Sequence, residues 1–383
     1  MSTVEMLFDL LRCEITGEKP KINSLTENDF NNLISLASLH SLAHLVADVL
    51  KKNGIAPDSD TVKARIQKII LSEAYISATN ENICNQTESA LKDNNIPYIL
   101  LKGAFISTLY PERWMRTSCD IDILIHEKDI EPAVFVLTEK GFTTDNEKHF
   151  HDVHLRLGEG LLELHFSICE GQKNIDRILE NAWDYSVKDK NNCKYQFTNE
   201  FFAFHIISHM AHHFTNGGCG IKPFMDLWIL KRHNFYNEDD VRSLCDKCGL
   251  LKFYTTVCQL IDIWFNDKEH TDLTKAVESF VLNGGTRGTT SNMVAAGTAR
   301  NKSRFKFILS MVFLKKSKMI NYYPVLNKYP FLLPFMYIKR LFEKISRKNT
   351  LQTETMLNSI KNQNNEKINS IAYIFKEMQI DGM

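Results

Sequence analysis

The hydrophobic period of this chain changes twice, and that change restricts its fold more than any other feature. Up to about Asp93, apolar residues recur at the three-to-four spacing of helices with one buried face. Leu33, Leu36, Ala37, His40, Leu42, Ala43 and Val46 form one such stripe, ended by Gly54 and Pro57. A second helix is predicted from Thr61 to Asp93, its stripe running through Ile66, Ile69, Ile70, Ala74, Ile76, Ile83 and Leu91. Past Pro97 the apolar runs become short. Tyr98–Leu101, Ile121–His126, His151–Leu157 and Leu161–Ile168 suit strands, the last two joined by the turn Gly158-Glu159-Gly160. Ala104–Tyr110 and Lys128–Lys140 suit helical turns between them.

The helical period returns from Glu200, with helices expected at Phe201–Phe214, Ile221–Lys231, Glu238–Cys248, Leu251–Phe265 and Leu273–Leu282. Gly284–Asn301, rich in Gly, Thr, Asn and Ala, reads as a loop or linker. The expected fold class is α+β, a small mixed sheet embedded in helical flanks. The expected division is a helical region over 1–95, a sheet-bearing core over 96–185 and a helical domain over 186–283. The linker over 284–301, a basic aromatic helical segment over 302–348 and a polar tail with a possible terminal helix over 349–383 complete it.

Composition narrows the function classes. The 383 residues carry 46 Lys and Arg against 46 Asp and Glu, which argues against a coat for nucleic acid. Nine cysteines without a repeating spacing suit reduced thiols in the cytoplasm, not a disulfide framework. Met1–Ile15 lacks the basic-then-apolar layout of a signal peptide, and no stretch matches a spanning helix.

The sharpest chemical signal is Asp120-Ile121-Asp122 at the head of an apolar strand. Residues two apart share a strand face, so the carboxylates point one way while Ile121, Ile123 and Ile125 point into the core. Adjacent carboxylates repel unless a cation lies between them, and two Mg²⁺ ions bridging to phosphates would resolve that. The bland alternative is two exposed acids on an edge strand. Lys102-Gly103 ends one strand and opens a helix, which suits close approach of a phosphate. Arg116, four residues before Asp120, could grip phosphate oxygens bidentately. Glu163 and His165 share one face of Leu161–His165 while Leu162 and Leu164 take the other.

These residues, in order, resemble a known pattern. Leu101-Lys102-Gly103, Leu109-Tyr110-Pro111, Arg116 through Asp120-Ile121-Asp122, Gly141-Phe142 and Leu162-Glu163-Leu164-His165 look like the uncharacterised nucleotidyltransferase family of the polymerase-β-like superfamily. Gly220–Leu227 is similar to that family's helical motif, and the resemblance extends from about Thr61 to Arg340. It implies Mg²⁺ and a nucleoside triphosphate, ATP or CTP, with Asp120, Asp122 and Glu163 as metal-binding and catalytic residues. Lys102, Gly103 and Arg116 would hold the triphosphate. The superfamily's Gly-Ser turn is Gly103-Ala104 here, which leaves Lys102 to replace the missing hydroxyl. The implied reaction moves a nucleoside monophosphate to an acceptor hydroxyl and releases pyrophosphate. The acceptor would be a small molecule, a peptide or a protein, in preference to nucleic acid. The rival reading is a nucleotide-binding regulatory or antitoxin-like protein without turnover.

Weaker signals surround these. His205, His209, His212 and His213 lie in one predicted helix, either lining the nucleotide or acceptor cleft, ligating metal or packing. His149, His151, His154 and His165 could approach the same cleft. Lys222 and Asp226 fall in the helical motif, where Asp226 either meets the acceptor, orients a histidine or serves its own helix terminus. Cys245 and Cys248 form a lone CxxC, better suited to buried thiols than to zinc. From Lys302 to Lys348, twelve Lys and Arg stand against the single acid Glu343, among many aromatics. Core packing with solvated lysines is the favoured expectation there, ahead of contact with a membrane surface or nucleic acid.

Overall fold

A computed structural model of the chain describes residues 1–145, 151–190, 192–286, 288–346, 355, 358–361 and 364–383. Four helices come first: α1 (Thr3–Thr16), α2 (Glu27–Leu39), α3 (Ala43–Asn53) and α4 (Asp60–Asp93). A capping box at Ser2 and Glu5 opens α1, and Gly17, at φ 75°, closes it. The stripe from Leu33 to Val46 is not one helix. It breaks between Leu39 and Ala43, where Ser41 takes a φ of 55°. The expected helix from Thr61 is α4, thirty-four residues long.

The sheet follows. Its elements are β1 (Tyr98–Leu100), α5 (Lys102–Ile106), β2 (Ile121–Ile125), α6 (Ile130–Glu139), β3 (Thr143–Thr144), β4 (Asp152–Leu157) and β5 (Gly160–His165). Then come α7 (Lys173–Leu179), β6 (Ser186–Lys188) and β7 (Lys194–Phe197). Among the described residues seven strands lie in the order β3-β4-β5-β2-β1-β7-β6. The pairs β2–β5 and β1–β7 are parallel and the rest antiparallel. The four strands expected from sequence are all present. The additional three are two to four residues long and largely polar, too short to carry a readable period.

One sheet face is a core of its own. Ile121, Ile123, Ile125, Leu155, Leu162 and Leu164 pack with Ile83, Ala90 and Leu91 of α4 and Ala133 and Leu137 of α6. Each fully buried Ile or Leu contributes roughly 1.5–3 kcal/mol, so this face fixes the register of β2 against β5. On the other face Ile99 and Leu124 join the larger helical core. The polar side chains of β2, β5 and β4 share that face.

The sheet runs on past 185, since β6 and β7 belong to it, and after it come α8 (Asn199–Thr215), α9 (Lys222–Arg232), α10 (Glu238–Cys248), α11 (Leu251–Asn266) and α12 (Asp272–Leu282), which share one core with the N-terminal helices. Cys245 and Cys248 are buried on α10. Of the stretch expected to be a linker, residues 284–286 and 288–289 are irregular. Thr290–Asn301 is a helix, α13, with the Thr289 side chain accepting from the Asn292 N–H. Poor intrinsic propensity is overridden by packing: Gly297 lets Phe307 lie where a Cβ would come within 2.1 Å of its ring. The terminal helix is Asn365–Glu377, with Ile371, Ile374 and Phe375 buried.

The basic segment folds as α14 (Arg304–Val312), α15 (Lys316–Tyr322), α16 (Val325–Lys328) and α17 (Leu333–Ser346). Here the expectation of core packing fails. Among the described residues of this segment only Phe307, Met319, Leu326 and Arg340 are buried. Phe305, Phe331, Phe335 and Phe342 are 66–72% exposed. Among the described residues no helix is long and apolar enough to cross a membrane.

Candidate active site

The parallel pairing of β2 with β5 sets Asp122 directly opposite Glu163. The β4–β5 hairpin, closed at Leu157 and Gly160, sets His154 opposite Glu163 and Asp152 opposite His165. One sheet face therefore carries Asp122, Glu163, His165, Asp152 and His154 in adjacent rows. His165 Nε2 lies 2.8 Å from Asp122 Oδ1 and 3.4 Å from Glu163 Oε2. His154 Nε2 lies 3.3 Å from Asp152 Oδ1 and 3.5 Å from Glu163 Oε1. Among the described residues two groups have metal-ligand spacing, Asp122–Glu163–His165 and Asp152–His154–Glu163, each with donor atoms within 4.8 Å of one another. Glu163 belongs to both. Asp120, in the bend before β2, belongs to neither, although its charge helps to raise the pKa of Lys102 and Arg116.

Lys102 reaches this site from the head of α5. Its Nζ is 3.6 Å from Asp122 Oδ1. Its φ of 36° places a side-chain-bearing residue in the left-handed region, strain of order 1–3 kcal/mol that turns the chain from β1 into α5. At Gly103 a Cβ would come 3.1 Å from Ser118 Oγ and 3.4 Å from Arg116 Nη1, so the glycine lets the loop before β2 close on α5.

Charge is concentrated here. Burial disfavours the Asp122 carboxylate, but Lys102 and the His165 hydrogen bond hold its pKa far below the carboxylate range. Burial likewise opposes charge on His165, yet Asp122 and Glu163 push its pKa up to about 9. The two carboxylates thus favour a proton on the His165 imidazole that lies between them. Glu163 is lowered, first by its hydrogen bond to His165. Lys102 is raised: burial opposes its charge, but Asp122, Glu170, Asp120 and Glu163 outweigh it.

Arg116, expected to grip phosphate, pairs with a carboxylate of the chain itself. Its Nε and Nη2 donate to Asp226 Oδ1 and Oδ2 at 2.7 and 2.8 Å, and its Nη1 donates to the Thr117 carbonyl. Tyr110 Oη donates to the same Asp226 at 2.8 Å. The guanidinium is thus engaged within the fold, by Asp226 and the Thr117 carbonyl. Asp226, 3% exposed, accepts from both Arg116 and Tyr110 and ties α9 to the loop that leads into Asp120. Lys222 supports the same loop by donating to the Thr117 carbonyl at 3.0 Å. Burial, then Arg116, lowers its pKa to about 8.

The histidines of α8 divide. His205 is buried, its pKa pushed by burial down to about 3, and it belongs to the core and not to a cleft. His209 and His212 sit at the site's edge, where Nδ1 of His209 is 2.7 Å from Glu170 Oε1 and Nδ1 of His212 is 3.0 Å from the Glu170 carbonyl. His209 is near enough to Asp122 to help lower its pKa. His213 Nε2 meets His209 Nε2 at 3.0 Å. His154 does approach the site as expected; His151 is exposed, and His149 lies outside the described residues. Sequence reasoning missed Glu170, which follows β5 in an irregular segment with no period to mark it. It also missed Asp152 as a neighbour of His165, although pairing outward from the Gly158-Glu159 turn places the two opposite each other.

Comparison of the chain with curated proteins and with solved structures returns no match. A family model, the uncharacterised nucleotidyltransferase, matches residues 26–266. That span begins upstream of Thr61 and ends short of Arg340, so it takes in α2 to α11 and the whole sheet and leaves the basic segment outside. With more than half of its length matched, the site included, the chain belongs to the uncharacterised nucleotidyltransferase family.

Proposed function

We propose that the protein transfers a nucleoside monophosphate from ATP or CTP to an acceptor hydroxyl on a small molecule, peptide or protein, with release of pyrophosphate. The observation that carries this reading is the β2–β5 register, which opposes Asp122 and Glu163 with Lys102 beside them. The donor set fits a hard cation at its carboxylates, because Mg²⁺ takes oxygen ligands. The imidazole of His165, a softer nitrogen donor, fits it less well. Asp122 and Glu163 would hold Mg²⁺, with Asp120 adjoining, and the resemblance would have these residues hold a pair of ions. The metal, when bound, would supply charge neutralisation on the triphosphate.

The remaining roles fall to the chain itself. Lys102 offsets phosphate charge. Glu163, held as a carboxylate, accepts the acceptor's hydroxyl proton. The resulting oxygen forms a bond to the α-phosphorus in line as the bond to the pyrophosphate oxygen breaks. His165 orients Asp122 and Glu163. Unpaired cysteines suit a reducing compartment, and this reading places the reaction in the cytoplasm.

The test is pyrophosphate release from each nucleoside triphosphate with Mg²⁺ and a panel of hydroxyl acceptors. Asp122→Asn should abolish binding and transfer together. Glu163→Gln should bind Mg²⁺-nucleotide yet transfer at least a hundredfold more slowly. Nucleotide binding without pyrophosphate from any acceptor would instead favour a regulatory binding protein.

A further inference from the structure

The helices α14 and α17 are amphipathic in the inverse sense to those of a globular core. In α14 the buried residue is Phe307, seated on Gly297 of α13. Phe305, Ile308 and Leu309, at the spacing of one helix face, lie on the other side and are exposed. In α17, Arg340 donates to the carbonyls of Met311 and Val312, and Tyr337 donates to the carbonyl of Leu314. Phe335, Ile338 and Phe342, again three and four residues apart, occupy the opposite side at 66%, 53% and 68% exposure. Phe331, 72% exposed, precedes this stripe. Each helix thus packs through a single side and turns an apolar stripe outward. An exposed patch of this kind marks an interaction surface.

Charge decides among the partners for such a surface. Between Lys302 and Arg340 the chain has nine Lys and Arg and no Asp or Glu, although the whole chain is neutral. A second copy of this chain would bring two such surfaces together and pay for their like charge. Single-stranded nucleic acid would use aromatic faces for stacking but gains nothing from Ile308, Leu309 and Ile338. A bilayer with anionic headgroups satisfies both features at once: hydrocarbon takes the aliphatic and aromatic side chains, and headgroups meet the cations. Pro324, Pro330 and Pro334 divide the segment into short helices, each able to lie flat with its apolar side down.

We propose that residues 302–346 dock the protein on the surface of an anionic membrane through Phe305, Phe331, Phe335 and Phe342, without crossing it. The inference is independent of the proposed transfer reaction, since the segment lies outside the family match and contributes nothing to the site. The test is co-sedimentation of the full chain with vesicles of phosphatidylcholine alone and of phosphatidylcholine mixed with phosphatidylglycerol. The expected result is binding to the mixed vesicles only, weakened by salt. Phe335→Ser with Phe342→Ser should lower binding at least tenfold at unchanged circular dichroism. Lys306→Gln with Lys316→Gln should lower it about fivefold for each charge removed. A chain left in the supernatant by mixed vesicles overturns the proposal, as does equal binding to both vesicle types. A dimer in ultracentrifugation that Phe335→Ser dissociates, or retention on single-stranded RNA, in either case without vesicle binding, overturns it too.

Discussion

Replacing Asp226 by Leu should destabilise the loop that leads into the candidate site. The Arg116–Asp226 pair has two contacts, at 2.7 and 2.8 Å, and its side chains are 10% and 5% exposed. Solvent screens such a pair weakly, and removing one partner leaves the other charge buried and uncompensated. The expected cost of Asp226→Leu, or of Arg116→Met, is about 3–5 kcal/mol. The Asp226 change also strips the acceptor from Tyr110, which adds to its side of that range. The double variant removes both charges together, so its cost should fall well below the sum, by about 2 kcal/mol or more. Equilibrium urea unfolding by circular dichroism measures these differences. Trp114, edge-on to His44 at 5.9 Å and two residues before Arg116, reports the loop itself by fluorescence. Single variants costing under about 1 kcal/mol, or a double variant at the full sum, would refute the reasoning. So would an Arg116→Met protein of unchanged stability that no longer binds nucleotide, because the guanidinium would then be serving phosphate.

Three further outcomes follow from the geometry. Burial opposes charge on Glu170, but His209, His212 and Lys102 lower its pKa to about 2 from 4.5, so it contributes stability above the unfolded value that is lost as pH falls from 4.5 towards 2. The loss should be roughly 3 kcal/mol and absent in Glu170→Gln; an identical acid limb in both proteins would contradict it. Gly297→Ala should displace Phe307 and cost about 1–3 kcal/mol, with hydrogen exchange in α14 rising; unchanged exchange would show that α14 is held elsewhere. Gly103→Ala, with Ser118 Oγ at 3.1 Å from the added carbon, should disturb the loop only slightly and weaken nucleotide binding a few-fold, measured by calorimetry; an unaltered affinity would mean that the loop yields freely.

Much of the site could be reached from the sequence because strand chemistry is local. A side-chain period of two puts Asp122 opposite in sense to Ile121 and Ile123, and Glu163 opposite to Leu162 and Leu164, whatever else the chain does. The two-residue turn after Leu157 fixes the β4–β5 register, and with it the approach of His154 to Glu163. The partner of Arg116 was not available by such means. Asp226 lies 110 residues downstream on α9, and only the packing of that helix brings it to the guanidinium. The same holds for Glu170 beside His209, for the polar strand β7 beside β1, and for the outward stripes of α14 and α17. Periodicity tells that a helix has an apolar side, but not what lies against it. Which residues share a face follows from local periodicity; which charges meet and which apolar faces stay in contact with solvent follows from tertiary packing, because both depend on distances between segments that share no local period.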